Sequence, residues 1–137
     1  MKNFIFLMLF VVANNAFSQK LHLCFTSTDS AYAEDPIQVS FNVIDKDWAN
    51  GFVQYKGQKD GYLLSFSVEK TIEKKEGDVP QIEYSFNEIK NGKTTGKYFL
   101  SLKGPKVMYF YYYDKQRKSR INFAQDYSSE NQCSCEW

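Results

Sequence analysis

Histidine is almost absent from this 137-residue chain, which contains one histidine, three cysteines and three prolines. Because His22 is the single imidazole, a His-rich zinc site or a nucleophile paired with histidine has no second member that the sequence identifies. Glycine-rich phosphate-binding loops are also absent, and no two carboxylates stand out as a glycosidase pair. We therefore predict no catalytic residues, no cofactor and no resident metal, and we expect a protein that is not an enzyme.

An excess of charge of either sign is missing too. The chain has 17 Lys and Arg against 16 Asp and Glu, and its first 18 residues contain only one of these, Lys2. Nucleic-acid binding depends on a cationic field, so we expect no nucleic-acid partner. Four cations follow residue 114 beside the tyrosines: Lys115, Arg117, Lys118 and Arg120. They could grip an anionic partner or single-stranded nucleic acid. Because the total charge is near zero, we favour a charged hairpin that keeps an aromatic strand soluble.

The chain also lacks a hydrophobic run long enough to cross a membrane. Phe4 to Ala13 is apolar throughout, but ten residues at about 1.5 Å each span only about 15 Å, half of a bilayer core. Lys2 precedes this run and Ala16-Phe17-Ser18 follows it, which is typical of a secretory signal peptide. We predict a signal peptide over residues 1–18, cleavage near Ser18, a periplasmic or secreted location, and no stable membrane insertion afterwards.

The three cysteines then have a clear context, because exported proteins fold where cysteines pair. Cys24 opens the predicted domain, while Cys133 and Cys135 close it. A bridge from Cys24 to either partner would tie the two ends together and contribute about 4 to 5 kcal/mol in the chain-entropy model. One cysteine is left over, so both a monomer and a disulfide-linked dimer stay open.

Alternation of apolar and polar residues dominates the chain from Gln19 onward and predicts half-buried β-strands. In Tyr62 to Val68 the pattern places Tyr62, Leu64, Phe66 and Val68 inward. Short turn signals suited to antiparallel hairpins separate the runs: Asn50-Gly51, Gly57 to Gly61, Asn91-Gly92 and Gly104-Pro105. The eight predicted strands are 21–25, 37–43, 52–55, 62–68, 82–86, 94–102, 107–113 and 119–123.

Eight strands in a meander predict a single all-β domain over residues 19–137. We favour a small antiparallel β-barrel, because side chains can just fill the interior of eight strands, with a two-sheet sandwich as the alternative. The charged segment from Thr71 to Pro80 is interpreted as a solvated loop or a strand extension beyond the barrel rim.

Residues 107–113 are apolar or aromatic at every position, so both faces of this predicted strand are unusual. Either Val107, Tyr109, Tyr111 and Tyr113 face the core, or Met108, Phe110 and Tyr112 do. The other face then forms cross-strand ladders or an exposed tyrosine patch for a partner. Tyr109, Tyr111 and Tyr113 are therefore candidate partner-binding residues.

Two short motifs add a resemblance to a known family. Thr95-Gly96-Lys97-Tyr98 and the following Leu102-Lys103-Gly104 are similar to the Ser-Gly-x-x-Tyr and Tyr-x-x-x-Lys-Gly motifs of the periplasmic inhibitors of c-type lysozyme. Thr95 stands in place of the serine, and the spacing from Tyr98 to Lys103 is one residue longer. The resemblance implies a small exported barrel that blocks a lysozyme, with Thr95, Lys97, Tyr98 and Lys103 nearest the blocking loops.

Export, a rigid β scaffold and the missing catalytic set together favour a non-catalytic binding protein. The leading hypothesis is a periplasmic inhibitor or immunity-type protein that acts on an envelope hydrolase or toxin. An alternative is a carrier that holds a small apolar ligand inside the barrel. A further alternative is a structural surface component that uses the unpaired cysteine.

Overall fold

A computed structural model describes residues 21–43, 50–126, 135 and 137. The predicted signal peptide and Cys133 lie outside these residues. The described part contains one 3-10 turn, Ser30–Tyr32, and no helix there is long and apolar enough to cross a membrane.

All eight predicted strands are present and form a closed barrel. Each strand is antiparallel to the next in the chain, and β8 returns to pair with β1, which confirms the all-β class and the barrel rather than the sandwich. The strands are β1 (Leu21–Ser27), β2 (Gln38–Val43), β3 (Asn50–Tyr55), β4 (Tyr62–Glu73), β5 (Gln81–Lys90), β6 (Lys93–Lys103), β7 (Lys106–Asp114) and β8 (Ser119–Gln125).

The hairpin signals are confirmed at three of the four positions. Asn91 and Gly92 both adopt positive φ angles, 51° and 74°, as a type I′ turn requires. Asn50-Gly51 is the exception, because both residues belong to β3. Gly51 is needed there for a different reason: a Cβ atom would lie 2.3 Å from the backbone oxygen of Asn42 on the neighbouring strand.

Alternation correctly identifies most of the core, and β4 shows where it fails. Leu64 is buried and Phe66 packs against the core, but Val68 is 53% exposed, which corrects its predicted inward position. The β4–β5 register shifts between Phe66 and Val68. A one-residue shift of this kind turns every later side chain to the opposite face. Beyond it, residues 71–79 are exposed, so the charged segment extends past the barrel as predicted.

The aromatic strand β7 places Phe110 and Tyr112 in the core and Tyr109, Tyr111 and Tyr113 on the outer face. Met108 was predicted to share the face of Phe110 and Tyr112, but it is 40% exposed, and Val107 packs against the core instead. The reason is a shift in the β6–β7 register between Ser101 and Leu102. Phe110 stacks on Phe25 with ring centroids 3.9 Å apart, and on Tyr98 at 5.4 Å. Edge contacts to Phe41 join the rings contributed by other strands. Aromatic rings therefore occupy the barrel interior.

A disulfide joins Cys24 on β1 to Cys135 near the end of the chain, with Cα atoms 5.7 Å apart. It selects Cys135 from the two predicted partners. Cys24 is buried and Cys135 half-buried. The bridge closes a loop with a sequence separation of 111 residues, so it restricts the unfolded chain strongly.

Removal of this bridge should destabilise the barrel. We expect Cys135→Ser to lower the free energy of unfolding by about 4 to 5 kcal/mol, as the chain-entropy model gives for a loop of this size. Denaturant unfolding followed by circular dichroism measures the change. Cys133→Ser is the matched control and should leave the stability within about 0.5 kcal/mol of the wild type; equal losses in the two variants would contradict the pairing.

Candidate functional site

A buried carboxylate lies inside one end of the barrel. Glu88, near the end of β5, is only 4% exposed. Its Oε1 accepts hydrogen bonds from the hydroxyls of Thr95 at 2.8 Å and Tyr112 at 3.1 Å, and its Oε2 accepts from Tyr55 at 2.9 Å and Tyr98 at 2.8 Å. The Tyr55 and Tyr98 hydroxyls also contact each other. We call these five residues the Glu88 cluster.

The strand register explains how four strands converge on this carboxylate. Glu88 pairs with Gly96 across the β5–β6 ladder, and Gly96 pairs in turn with Asp114 at the end of β7. A Cβ atom at position 96 would lie 2.2 Å from the Tyr112 hydroxyl oxygen. The missing side chain of Gly96 therefore provides the space through which Tyr112 reaches Glu88.

Burial and the nearby carboxylate keep the tyrosines of the cluster protonated. Loss of solvation raises the pKa of Tyr55, Tyr98 and Tyr112 well above the usual value, and the negative charge of Glu88 raises each pKa further. These hydroxyls consequently remain hydrogen-bond donors at neutral pH. Buried polar groups that are fully hydrogen-bonded fix a unique arrangement, so the cluster acts as a polar floor.

Above this floor the barrel opens into a depression of about 760 Å³, which we call the mouth. Its rim comes from three hairpins and contains the cations Lys90, Lys93, Lys115 and Arg117. The rim carboxylate of Asp114 accepts the backbone N–H groups of Gln116 and Arg117, both at 2.9 Å, and so holds the β7–β8 turn in place.

The mouth cations have no carboxylate partner among the ion pairs of the described residues. The two such pairs, Lys75 with Glu73 and Lys103 with Asp78, lie at the other end of the barrel. Lys90 instead lies over the ring of Tyr62, 5.3 Å from its centroid. The mouth thus presents positive charge on a chain whose net charge is only +1.

A smaller groove of about 470 Å³ runs along the outside of the barrel beside the mouth. Thr94 and Lys115 line both the groove and the mouth, and Lys97, Phe99 and Tyr113 line the groove alone. Tyr113 is 40% exposed. The groove therefore extends the cationic rim toward an apolar wall.

The outer tyrosines form a cross-strand ladder. Tyr111 stacks on Phe99 with centroids 4.6 Å apart, and the Arg120 guanidinium lies 3.7 Å from the centre of the Tyr111 ring. The Tyr109 hydroxyl donates to Glu83, and burial followed by this hydrogen bond raises the pKa of Tyr109 to about 12. The faces of the Tyr111 ring are thus already occupied, whereas Tyr113 remains open to a partner.

The structure does not bring the seven candidate binding residues onto one surface. Tyr98 has no exposed surface and, with Thr95, serves the Glu88 cluster. Lys97 lies in the outer groove. Lys103 lies at the opposite end of the barrel, where its ammonium pairs with Asp78 at 3.1 Å and lowers the pKa of that carboxyl. The inhibitor-like motifs are therefore divided between the interior and both ends.

Sequence reasoning missed the Glu88 cluster and the mouth. A signal for Glu88 was present, because it follows Phe86 at the inward period of β5 and so places a charge where the pattern requires an apolar residue. Lys115 and Arg117 were noticed but interpreted as a hairpin that keeps a strand soluble, and Lys90 and Lys93, beside an ordinary turn, gave no signal.

Comparison of the chain with protein-family models, with curated proteins and with solved structures found no match.

Two substitutions of Glu88 should lower the free energy of unfolding by different amounts. Glu88→Leu leaves the surrounding hydroxyls without their acceptor, and we expect it to cost more than about 3 kcal/mol of unfolding free energy. Glu88→Gln keeps an acceptor oxygen, so we expect a loss of about 1 to 2 kcal/mol. Denaturant unfolding measures both variants, and Glu76→Gln on the exposed extension is the control; equal stabilities of the two Glu88 variants would contradict a hydrogen-bonded floor.

The raised tyrosine pKa values predict a loss of stability in alkali. A group whose pKa is higher in the folded state than in the unfolded chain stabilises the fold fully below the unfolded value, here about 10, and this contribution disappears as the pH rises through the folded value. We expect the free energy of unfolding to fall from about pH 10 upward. Absorbance of tyrosinate, compared with circular dichroism, should show Tyr55, Tyr98 and Tyr112 ionising only together with unfolding; ionisation in an intact barrel would refute this.

Proposed function

We propose that this protein is an exported, non-catalytic binding protein that recognises an envelope hydrolase or toxin through its mouth, as an inhibitor or immunity-type protein would. The observation that carries the proposal is the set of rim cations without carboxylate partners: Lys90, Lys93, Lys115 and Arg117. Unpaired cations on a rigid rim favour a partner surface rich in carboxylates.

The chemistry of a hydrolase cleft fits this rim. Enzymes that hydrolyse glycosidic bonds use a pair of Asp or Glu residues, one protonated as the general acid and the other ionised, so the catalytic site carries negative charge. A complementary positive surface speeds association and fixes the orientation of the partner. Exposed Tyr113 and the apolar wall of the outer groove supply contact area beside the cations.

Rigidity supports the same proposal. The β5–β6 connection is a two-residue turn, Asn91-Gly92, and Asp114 fixes the β7–β8 turn through two backbone hydrogen bonds. The Glu88 cluster holds the strands beneath them. The backbone that carries these cations loses little conformational freedom on binding, so the entropic cost is confined to their side chains, which favours affinity.

The residues that resemble the lysozyme-inhibitor motifs have different roles on the proposed binding surface. Lys97 in the outer groove remains a contact residue, whereas Thr95 and Tyr98 act as supports of the floor. Lys103 lies at the far end of the barrel, so we assign partner contact to Lys93, Lys115 and Arg117 in its place.

Two features favour binding over the other hypotheses. Four surrounding hydroxyls already occupy the carboxylate oxygens of Glu88, which leaves it poorly suited to act as a general base. Aromatic rings fill the interior in which an apolar ligand would have to lie, and this argues against a carrier. The structural surface component depends on Cys133, which lies outside the described residues.

Charge reversal at the mouth tests the proposal. The variant Lys93→Glu/Lys115→Glu/Arg117→Glu should lose affinity for an envelope hydrolase at least tenfold, or about 1.4 kcal/mol, because like charges then face the cleft. The matched control is Lys70→Glu/Lys74→Glu/Lys75→Glu, on the exposed stretch that begins at Val68 of β4, which should bind as the wild type does.

The effect of charge reversal is measured by enzyme inhibition and by affinity capture. Inhibition of c-type lysozyme is measured as slower clearing of a cell-wall suspension, and we expect it with the wild type and the control but not with the mouth variant. Affinity capture from envelope and secreted fractions should recover one stoichiometric hydrolase or toxin. The wild type and the control should capture it, and the mouth variant should not. Absence of lysozyme inhibition at large molar excess excludes that enzyme as the target; a hydrolase that the mouth variant retains contradicts the proposed surface.

A further inference from the structure

The single histidine lies against the disulfide on the outer face of the barrel. His22 and Cys24 are both on β1, two residues apart and therefore on one face of the strand. The His22 Nε2 atom is 3.7 Å from the Cys24 sulfur and 3.9 Å from the Cys135 sulfur. One nitrogen and two sulfurs thus meet at a single point on the outside of the barrel.

Neighbouring side chains orient the imidazole toward the sulfurs. His22 Nδ1 is hydrogen-bonded to the Asn42 side-chain oxygen, which can only accept, so in the neutral ring Nδ1 carries the proton and Nε2 carries the lone pair. The Asn42 amide nitrogen donates to the Ser40 hydroxyl at 2.9 Å and is thereby held in this orientation. Histidine ligands of metals are typically fixed in this way, through a hydrogen bond from the other ring nitrogen to an oxygen.

The distances agree with those of a zinc ligand set. Zn–S bonds of about 2.3 Å and Zn–N bonds of about 2.0 to 2.1 Å at tetrahedral angles separate nitrogen from sulfur by about 3.6 Å and sulfur from sulfur by about 3.8 Å. The two nitrogen–sulfur distances of 3.7 and 3.9 Å already lie close to this value. After reduction, the sulfurs need only move from their bonded separation of about 2.0 Å to about 3.8 Å.

We propose that reduction of the Cys24–Cys135 disulfide converts this cluster into a Zn²⁺ site whose ligands are His22, Cys24 and Cys135. A depression of about 310 Å³ at the cluster, lined by Ser40, Gln54 and Trp137 among others, leaves room for water at the fourth position. The three ligand atoms lie within 4.8 Å of one another.

The redox step balances with a thiol reductant of low molecular weight. Two reductant thiols transfer two electrons and two protons to the disulfide, which yields the Cys24 and Cys135 thiols and one reductant disulfide. Binding of Zn²⁺ then releases both thiol protons. Zinc and the disulfide exclude each other, but each ties the end of the chain to β1. The bound zinc would therefore keep the end of the chain attached to β1 after the Cys24–Cys135 disulfide is reduced.

The experiment uses the full-length mature protein with Cys133→Ser, so that Cys24 and Cys135 are the only thiols. After anaerobic reduction and removal of the reductant, Co²⁺ and Zn²⁺ are titrated in turn. We expect one equivalent to bind, two protons to be released, a thiolate-to-cobalt charge-transfer band and a shifted NMR signal of the single imidazole. Protein with the disulfide intact should bind neither ion in this way.

Two variants separate the proposed site from general binding to thiols. His22→Gln should weaken Zn²⁺ binding at least tenfold, whereas Gln54→Ala, which lines the same depression without providing a ligand, should leave it unchanged. Equal affinities of His22→Gln and the parent would overturn the proposal. If the reduced protein unfolds, added Zn²⁺ should restore its β-sheet circular dichroism in the parent and not in His22→Gln; failure to restore it in the parent would also overturn the proposal.

Discussion

A short ladder between β1 and β8 closes the barrel, and without it the eight strands would form an open sheet. It pairs Phe25 with Gln125, Thr26 with Ala124, and Ser27 with Phe123. Hydrogen bonds on either side extend this contact between β1 and β8. The Asp126 N–H donates to the Cys24 oxygen at 2.8 Å, and the Asn122 N–H donates to the Asp29 carboxylate at 2.7 Å. Closure pairs β1 with β8, which would otherwise be the two edge strands of an open sheet, and it places Phe25 against Phe110 in the core.

A closed shell of eight strands can bury few polar groups, and the Glu88 cluster is where this barrel buries a carboxylate. Tyrosines are suited to the boundary between core and mouth because each combines a large apolar ring with a hydroxyl at its tip. Tyr98 illustrates this: its ring packs on Phe110, while its hydroxyl reaches Glu88. The aromatic core and the polar floor are thus built from the same side chains, so the position of the rim cations follows from the packing beneath them.

Much of the fold could be predicted from sequence because alternation and turn chemistry are local properties. Val39, Phe41 and Val43 alternate with polar residues and are all buried, and Asn91-Gly92 forms the expected turn. Local pattern does not encode a slip in register, so Val68 was assigned to the wrong face. Nor does it show which of two nearby cysteines meets Cys24, or which face of β7 turns inward.

The candidate site was harder to predict because its parts are distant in sequence. Tyr55 and Tyr112 are separated from Glu88 by more than twenty residues each, and only barrel closure brings their hydroxyls to one carboxylate. Lys93 and Arg117 belong to different hairpins, and their common position around the mouth is likewise a tertiary property. The short inhibitor-like motifs identified Thr95 and Tyr98 as binding residues, but their hydroxyls donate hydrogen bonds to Glu88 inside the barrel.

Nuclear Overhauser effects between β1 and β8 test the closure of the barrel most directly. A closed barrel predicts cross-peaks between backbone protons of Thr26 and Ala124, together with slow amide hydrogen exchange along both strands. Absence of those cross-peaks, with β8 amides that exchange as fast as those of the exposed residues 71–79, would show that β1 and β8 do not pair and that the sheet is open.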